Sequence, residues 1–195
     1  LAKHGLSLLP LDGTFTPLDN DYLWRPEDHA ECRRQIARHS VRDASRYEPY
    51  VETMGRMAQA IKPILAMTPP DPAAIDARGV FDALSLAKRM RGLSRGDQHL
   101  LVQLLTSSAA DFVERWFEND ALRATLSSSG IIGTFLGVRS PSTAYVLLHH
   151  YMGEIDGTFR AWGVPRGGMG AVSDALAAAA RAAGATLTTD APVAR

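Results

Sequence analysis

The stretch Val164-Pro165-Arg166-Gly167-Gly168-Met169-Gly170-Ala171-Val172-Ser173-Asp174-Ala175-Leu176 decides how the rest of the chain is read. Its glycines precede a helix-forming run that reaches Ala183 and meets Gly184, a residue suited to the left-handed conformation after a helix. Upstream, Thr158-Phe159-Arg160-Ala161-Trp162 reads as a short strand, and downstream Thr186 to Thr189 is strand-like in composition. The expected unit is therefore strand, glycine turn, helix, strand. Gly168-x-Gly170-x-x-Ser173 has the spacing of a dinucleotide-binding turn, with Asp190 placed where a ribose-binding acid is expected. Against that stand Pro165, which interrupts the approach, and Ser173, where glycine or alanine is usual. Three readings stay open: the N-terminus of an ordinary helix, a primary nucleotide fingerprint, or an accessory contact. In the last, glycine lets backbone come close to a flat ring or a phosphate.

Moving toward the N-terminus, Ser140-Pro141 predicts a helix start, with Tyr145, Val146, Leu148, His149 and Met152 as its packing side. Asn119 or Asp120 is expected to cap a short helix to Leu126. From Leu100 the apolar pairs recur every four residues, so either the buried face winds around one long helix or the helix breaks near Ser107-Ser108. Val80, Phe81, Leu84, Ala87 and Met90 share one helical face up to Arg91. Thr68-Pro69-Pro70-Asp71-Pro72 is the clearest linker. Ser40 with Asp43 resembles a capping box and starts a helix from about Val41 to Met67, with kinks or a break expected at Pro49 and Pro63. Arg25-Pro26-Glu27-Asp28 is expected to open a helix to about His39, after two or three short strands between Leu6 and Trp24. Leu1-Ala2-Lys3-His4 before Gly5 reads as the last turn of a helix. Together with the strand pattern close to Arg195, it leads us to expect a piece of a longer protein.

The chain has 195 residues, 46% of them hydrophobic and 22% charged, as in ordinary globular proteins. Lys plus Arg equal Asp plus Glu at 21 each, which argues against a strongly basic nucleic-acid grip. The single cysteine, Cys32, excludes an intrachain disulfide framework and suits a reducing compartment. No apolar run approaches the ~20 residues that span a bilayer. The expected fold class is α+β, mostly helical. Residues 1–25 form short strands and turns, 26–157 a helical domain with a linker near 68–72, and 158–195 the strand, turn, helix, strand return.

Other candidate chemistry reads blandly. His149 and His150 are helical neighbours pointing about 100° apart, so they are poor ligands for one metal. His150 and Glu154 are spaced to share a helix face, but no third ligand accompanies them, and no metal site is assigned. Cys32 lies among Glu31, Arg33 and Arg34, where cations favour a thiolate, yet no partner histidine is identifiable. Lys88, Arg89, Arg91 and Arg95 read as a solvated face, with a phosphate or membrane contact as the minority reading. No catalytic acid or base is assigned.

The Val164–Leu176 stretch, followed by Gly184-Ala185-Thr186 and Asp190-Ala191-Pro192-Val193-Ala194, resembles flavin-dependent oxidoreductases of the phytoene-desaturase and amine-oxidase superfamily, in particular its phytoene-dehydrogenase-related branch. Three more stretches are similar to that branch: Ser40-Val41-Arg42-Asp43-Ala44-Ser45-Arg46-Tyr47, Ile131-Ile132-Gly133-Thr134-Phe135, and Ser140-Pro141-Ser142-Thr143-Ala144-Tyr145 with Leu148-His149-His150. The resemblance implies an FAD enzyme whose nucleotide-binding and substrate domains interleave along the chain. Residues 26–157 would then lie in the helical substrate domain, and the last helix and strand in the FAD domain. It further implies that Gly167, Gly168 and Gly170 pass the flavin and that Val193 offers its backbone to the adenine end. The expected substrate is apolar or amine-like, with Tyr145, His149 and Trp162 as candidate pocket-wall residues. The superfamily's main glycine turn is absent from these residues, so the chain alone is expected to be inactive. A cytoplasmic or membrane-peripheral location is expected, as is self-association through the lone Thr186–Thr189 strand. The alternative from a different class is a non-catalytic helical binding or lipid-facing module.

Overall fold

In a computed structural model the described residues are 1–65, 67, 77–155, 158–159 and 162–192. The chain divides into a larger unit, Gly13–Arg160, and a smaller one formed by Leu1–Asp12 with Ala161–Arg195. The fold is α+β and mostly helical, and its strands form small antiparallel pairs.

The larger unit opens with a hairpin of β2 (Gly13–Pro17) and β3 (Tyr22–Pro26), which follow β1 (Leu8–Pro10) in the chain. Pro26 ends β3 instead of opening a helix. Asp28 provides the actual start by accepting from the Glu31 amide at 2.7 Å, so α1 runs His29–Ala37. Cys32 and Ile36 on α1 are buried, which makes the single cysteine a core residue rather than an exposed thiolate.

Helix α2 (Val41–Leu65) is continuous as a 25-residue helix despite Pro49 and Pro63. The expected break does not occur because Tyr47, Tyr50, Met54, Met57, Ala58 and Ile61 form one buried stripe. Each large apolar side chain contributes about 1.5–3 kcal/mol, and together they outweigh roughly 3 kcal/mol per interior proline. Tyr50 is the centre of the core: its ring lies 5.1 Å from Phe117, 5.5 Å from Trp116 and 6.1 Å from Tyr151.

Helices α3 (Ala77–Arg91), α4 (Arg95–Thr106), α5 (Ala109–Glu114) and α6 (Asp120–Ser127) follow. Of the two alternatives left open from Leu100, the helix breaks at Ser107-Ser108, where Ser108 caps α5 by accepting from the Asp111 amide at 3.0 Å. Asn119 likewise caps α6 through the Leu122 amide at 2.9 Å. The expected packing face of α3 is not buried: Val80, Leu84 and Phe81 are exposed, Phe81 at 70%. Only Met90 of that series packs against the core. The 68–72 linker lies outside the described residues.

Helix α7 spans Thr143–His149, starting later than the Ser140-Pro141 signal implies because Ser142 adopts a left-handed conformation (φ 67°) just before it. Its buried residues are Thr143, Ala144, Leu147 and Leu148, so His149 lies off the packing side assigned to it. Two short pairs follow. Strand β4 (Glu154–Ile155) pairs with β5 (Thr158–Phe159), and β6 (Gly163–Pro165) pairs with β1. Of the expected 158–162 strand, Thr158–Phe159 forms β5 and Trp162 is in no strand, while 160–161 lie outside the described residues.

The smaller unit carries β1, β6 and α8 (Gly170–Ala182). Gly184 closes α8 at φ 89°, and the Ala185 amide reaches back to the Ala180 carbonyl at 3.0 Å. Residues 185–188 form no strand, which corrects the strand expected at Thr186–Thr189. β-Branched composition supplies a preference only, and no described strand pairs with this segment. On α8 Ala175 is buried and Leu176 is 53% exposed.

Candidate functional site

The glycine turn is built on the β1–β6 ladder. Leu8 faces Pro165, Leu9 faces Val164 and Pro10 faces Gly163. The ladder continues past both ends, with the Arg166 amide donating to Ser7 at 2.8 Å and the Leu11 amide to Trp162 at 3.3 Å. Proline is tolerated at the ends of so short a pair because few ladder bonds need its missing donor. The chain then reverses: the Gly168 amide donates to Pro165 at 3.0 Å, with φ 89° at Gly167 and φ 84° at Gly168. Two successive left-handed residues explain two of the three glycines, since a side chain there costs about 1–2 kcal/mol. The Ala171 and Val172 amides bond back to Gly168 and Met169 at 3.1 Å, starting α8.

Gly170 differs. Its φ is not positive, and a Cβ there would meet nothing within 4 Å. Neither backbone strain nor internal packing therefore requires glycine, although it costs about 1 kcal/mol relative to alanine within a helix. The turn is exposed, and open space also surrounds the Cβ position of Gly168. This exposed, Cβ-free backbone fits the close approach of a flat ring or phosphate. A primary dinucleotide fingerprint is not what is built here: β6 is a three-residue strand in an antiparallel pair, not a buried parallel strand. Trp162, in the same unit, is 48% exposed. Val193 lies outside the described residues.

Tyr145 and His149 lie in the larger unit, one turn apart on α7 with ring centroids at 6.4 Å. Tyr145 is half-buried against the core, and His149 is exposed. Burial, reinforced by the neighbouring His149, holds the half-buried His150 below the ordinary imidazole range, while a bond to the Ile132 backbone opposes the shift. Beside Ile132 an apolar loop presents Phe135, fully exposed, and Leu136. His150 and Glu154 do not share a helix face, because α7 ends at His149 and Glu154 belongs to β4. Among the described residues no group of three His, Cys, Asp or Glu is placed to hold a metal ion.

Two of the sequence stretches singled out above act as joints. The buried Asp43 carboxylate accepts from the Glu118 amide at 2.9 Å and the Asn119 amide at 2.8 Å, while its own amide donates to Ser40 Oγ. Ser40 and Arg42 both bond Glu118 and hold its carboxyl below the usual range. Arg46 donates to the Arg115 and Trp116 carbonyls at 3.4 and 3.3 Å. The start of α2 thus clamps the connection between α5 and α6. Likewise Thr143 Oγ1 accepts from the Ala109 amide at 2.8 Å and donates to Ser140. Sequence reading missed these roles. The Ser40–Asp43 spacing was visible, but the target of the Asp43 carboxylate lies 75 residues away.

No family model matches the chain, and no solved structure does. Among curated proteins, the whole chain aligns at 37% identity with pyridine nucleotide-disulfide oxidoreductase domain-containing protein 2 of Rattus norvegicus and at 34% with that of Mus musculus. It spans 36% of the length of each. An uncharacterized protein of Mycobacterium tuberculosis is 42% identical over 38% of this chain and 14% of its own length. The chain is therefore homologous, over its whole extent, to about a third of pyridine nucleotide-disulfide oxidoreductase domain-containing protein 2.

Proposed function

We propose that this chain is a section of an FAD-dependent oxidoreductase of the phytoene-desaturase and amine-oxidase superfamily, of dehydrogenase or desaturase type, acting on an apolar or amine-like substrate. The observation that carries this reading is Gly170, a glycine that neither backbone strain nor internal packing explains, at the start of α8 behind two left-handed glycines. The homology to an oxidoreductase-named relative supports it. In this reading Gly167, Gly168 and Gly170 hold the cofactor through close backbone approach, and Val193 contributes at its adenine end. FAD, when bound, supplies the hydride acceptor. Tyr145 and His149 are the substrate contacts assigned to the larger unit, and Trp162 the one assigned to the smaller. The 195 residues alone are inactive, because the main nucleotide-binding turn is not among them.

The test is to read the coding sequence on both sides of these residues and purify the whole product. A strand followed by a glycine-rich turn, within about a hundred residues upstream, is expected. The whole protein should carry the two visible absorption bands of a bound flavin. A folded, colourless whole protein that ignores added FAD overturns the proposal.

One observation favours a second role. Val80, Phe81 and Leu84 are exposed on α3 ahead of the exposed Lys88 and Arg91. Such an apolar and basic face supports peripheral contact with a membrane surface. Among the described residues no helix is long and apolar enough to cross a membrane.

A further inference from the structure

Within the larger unit a hollow of about 340 Å³ is lined by Arg46, Leu100, Gln103, Phe112, Arg115 and Trp116. Its wall has two chemistries. Leu100, Phe112 and Trp116 give it an apolar side, with Phe112 buried and Trp116 braced edge-on against Tyr50 at 5.5 Å. Arg46 and Arg115 give it two cations. Arg46 is held in place through one guanidinium nitrogen, Nη1, which donates to the Arg115 and Trp116 carbonyls. Its other guanidinium donors are not used by those bonds. No acidic residue lines the hollow. Among the described residues neither Arg46 nor Arg115 has a carboxylate partner, whereas the nearby Glu114 and Glu118 are paired with Arg139 and Arg42. Two guanidinium groups beside an apolar wall, without a neutralising acid, match a ligand with an anionic head and an apolar body.

We infer that this hollow between α2, α4 and α5 binds a small amphipathic anion, its carboxylate or phosphate head on Arg46 and Arg115 and its apolar body against Leu100, Phe112 and Trp116. The volume corresponds to roughly eleven water-sized groups at about 30 Å³ each, which suits a medium-length acyl chain or a fused aromatic ring. The site is independent of the flavin reading, since every residue in its wall lies within Gly13–Arg160.

The test titrates the folded chain with decanoate and decyl phosphate below their micellar concentrations and with decanol below its solubility limit, following tryptophan emission and calorimetric heat. Decanoate or decyl phosphate should bind saturably with one site per chain, and added salt should weaken it. Decanol should bind about tenfold more weakly, the loss expected when charged hydrogen bonds are removed. Arg115 is exposed, so Arg115→Gln should fold normally. It should lower anion affinity by about tenfold and leave decanol unchanged. Trp116→Phe should abolish the emission change while the calorimetric heat remains. The inference is overturned by absence of saturable binding of both anions, by equal affinity for decanol, by unchanged anion affinity in Arg115→Gln, or by an emission change that survives Trp116→Phe.

Discussion

The two units are stabilised by different means. Among the described residues, the larger unit holds nearly every buried apolar side chain, from Leu23 to Met152, and the smaller unit contributes Pro165 and Ala175. Leu8, Leu9, Leu11, Trp162, Val164, Met169, Leu176 and Leu187 of the smaller unit are all exposed. One region is therefore organised by a common core around Tyr50. The other has no such core: a three-residue ladder between distant segments joins two local devices, a double left-handed turn and a glycine-closed helix. Core burial is cooperative and tolerates local faults such as Pro49, whereas local devices fail one at a time.

Four changes break or sharpen that contrast. Asp43→Ala should have the largest effect, because it leaves the Glu118 and Asn119 amides without their carboxylate. Loss of charged hydrogen bonds of this kind costs about 3 kcal/mol. Urea denaturation read by circular dichroism should show the whole larger unit shifting together, and Asp43→Asn should recover part of the loss. A shift confined to α6 would show that this unit is less cooperative than its core implies.

Gly130→Ala comes next. The added methyl would lie 2.5 Å from Ala109 Cβ and 2.9 Å from the Thr143 carbonyl, forcing α5 and α7 apart at a cost of about 2 kcal/mol. The same denaturation curve measures it, and an unchanged midpoint would mean the joint is looser than its geometry.

Gly168→Ala should cost about 1 kcal/mol through its left-handed backbone. It should speed hydrogen exchange at the Arg166 amide and leave the larger unit's denaturation midpoint where it was. Residues 186–188 should exchange rapidly with or without the substitution, since no described strand pairs with them.

The smallest effect belongs to His150. Burial first, and His149 second, lower its folded pKa below the usual 6.5. The unfolded chain therefore takes up the proton at higher pH than the folded one. Stability is full above about pH 6.5 and falls as pH drops from there through the folded value. Replacing His150 with Gln should flatten that part of the stability profile, and an unchanged slope would assign the acid sensitivity to another group.

Much of this was legible in the sequence because it is local. Ser108 and Asn119 announce their caps through short polar side chains, Gly184 marks the end of α8, and Gly167-Gly168 mark a turn that side chains disfavour. The stripe on α2 is visible as a helical period. The candidate turn was found for the same reason, since all its parts lie within a few residues of one another.

Long-range pairing was not legible. Nothing near Thr186–Thr189 states whether a partner strand exists, and nothing near β1 states that its partner is β6, more than 150 residues away. The apolar period of α3 likewise resembles a buried face, because periodicity records amphipathicity but not what covers it. By itself the sequence determined the helices, their caps and the glycine turn, where each choice depends on neighbouring residues. Only the tertiary structure decided that Asp43 would clamp the α5–α6 connection and that Arg46 and Arg115 would share an apolar hollow. Both depend on which distant backbone each side chain meets, and that is fixed by packing around Tyr50.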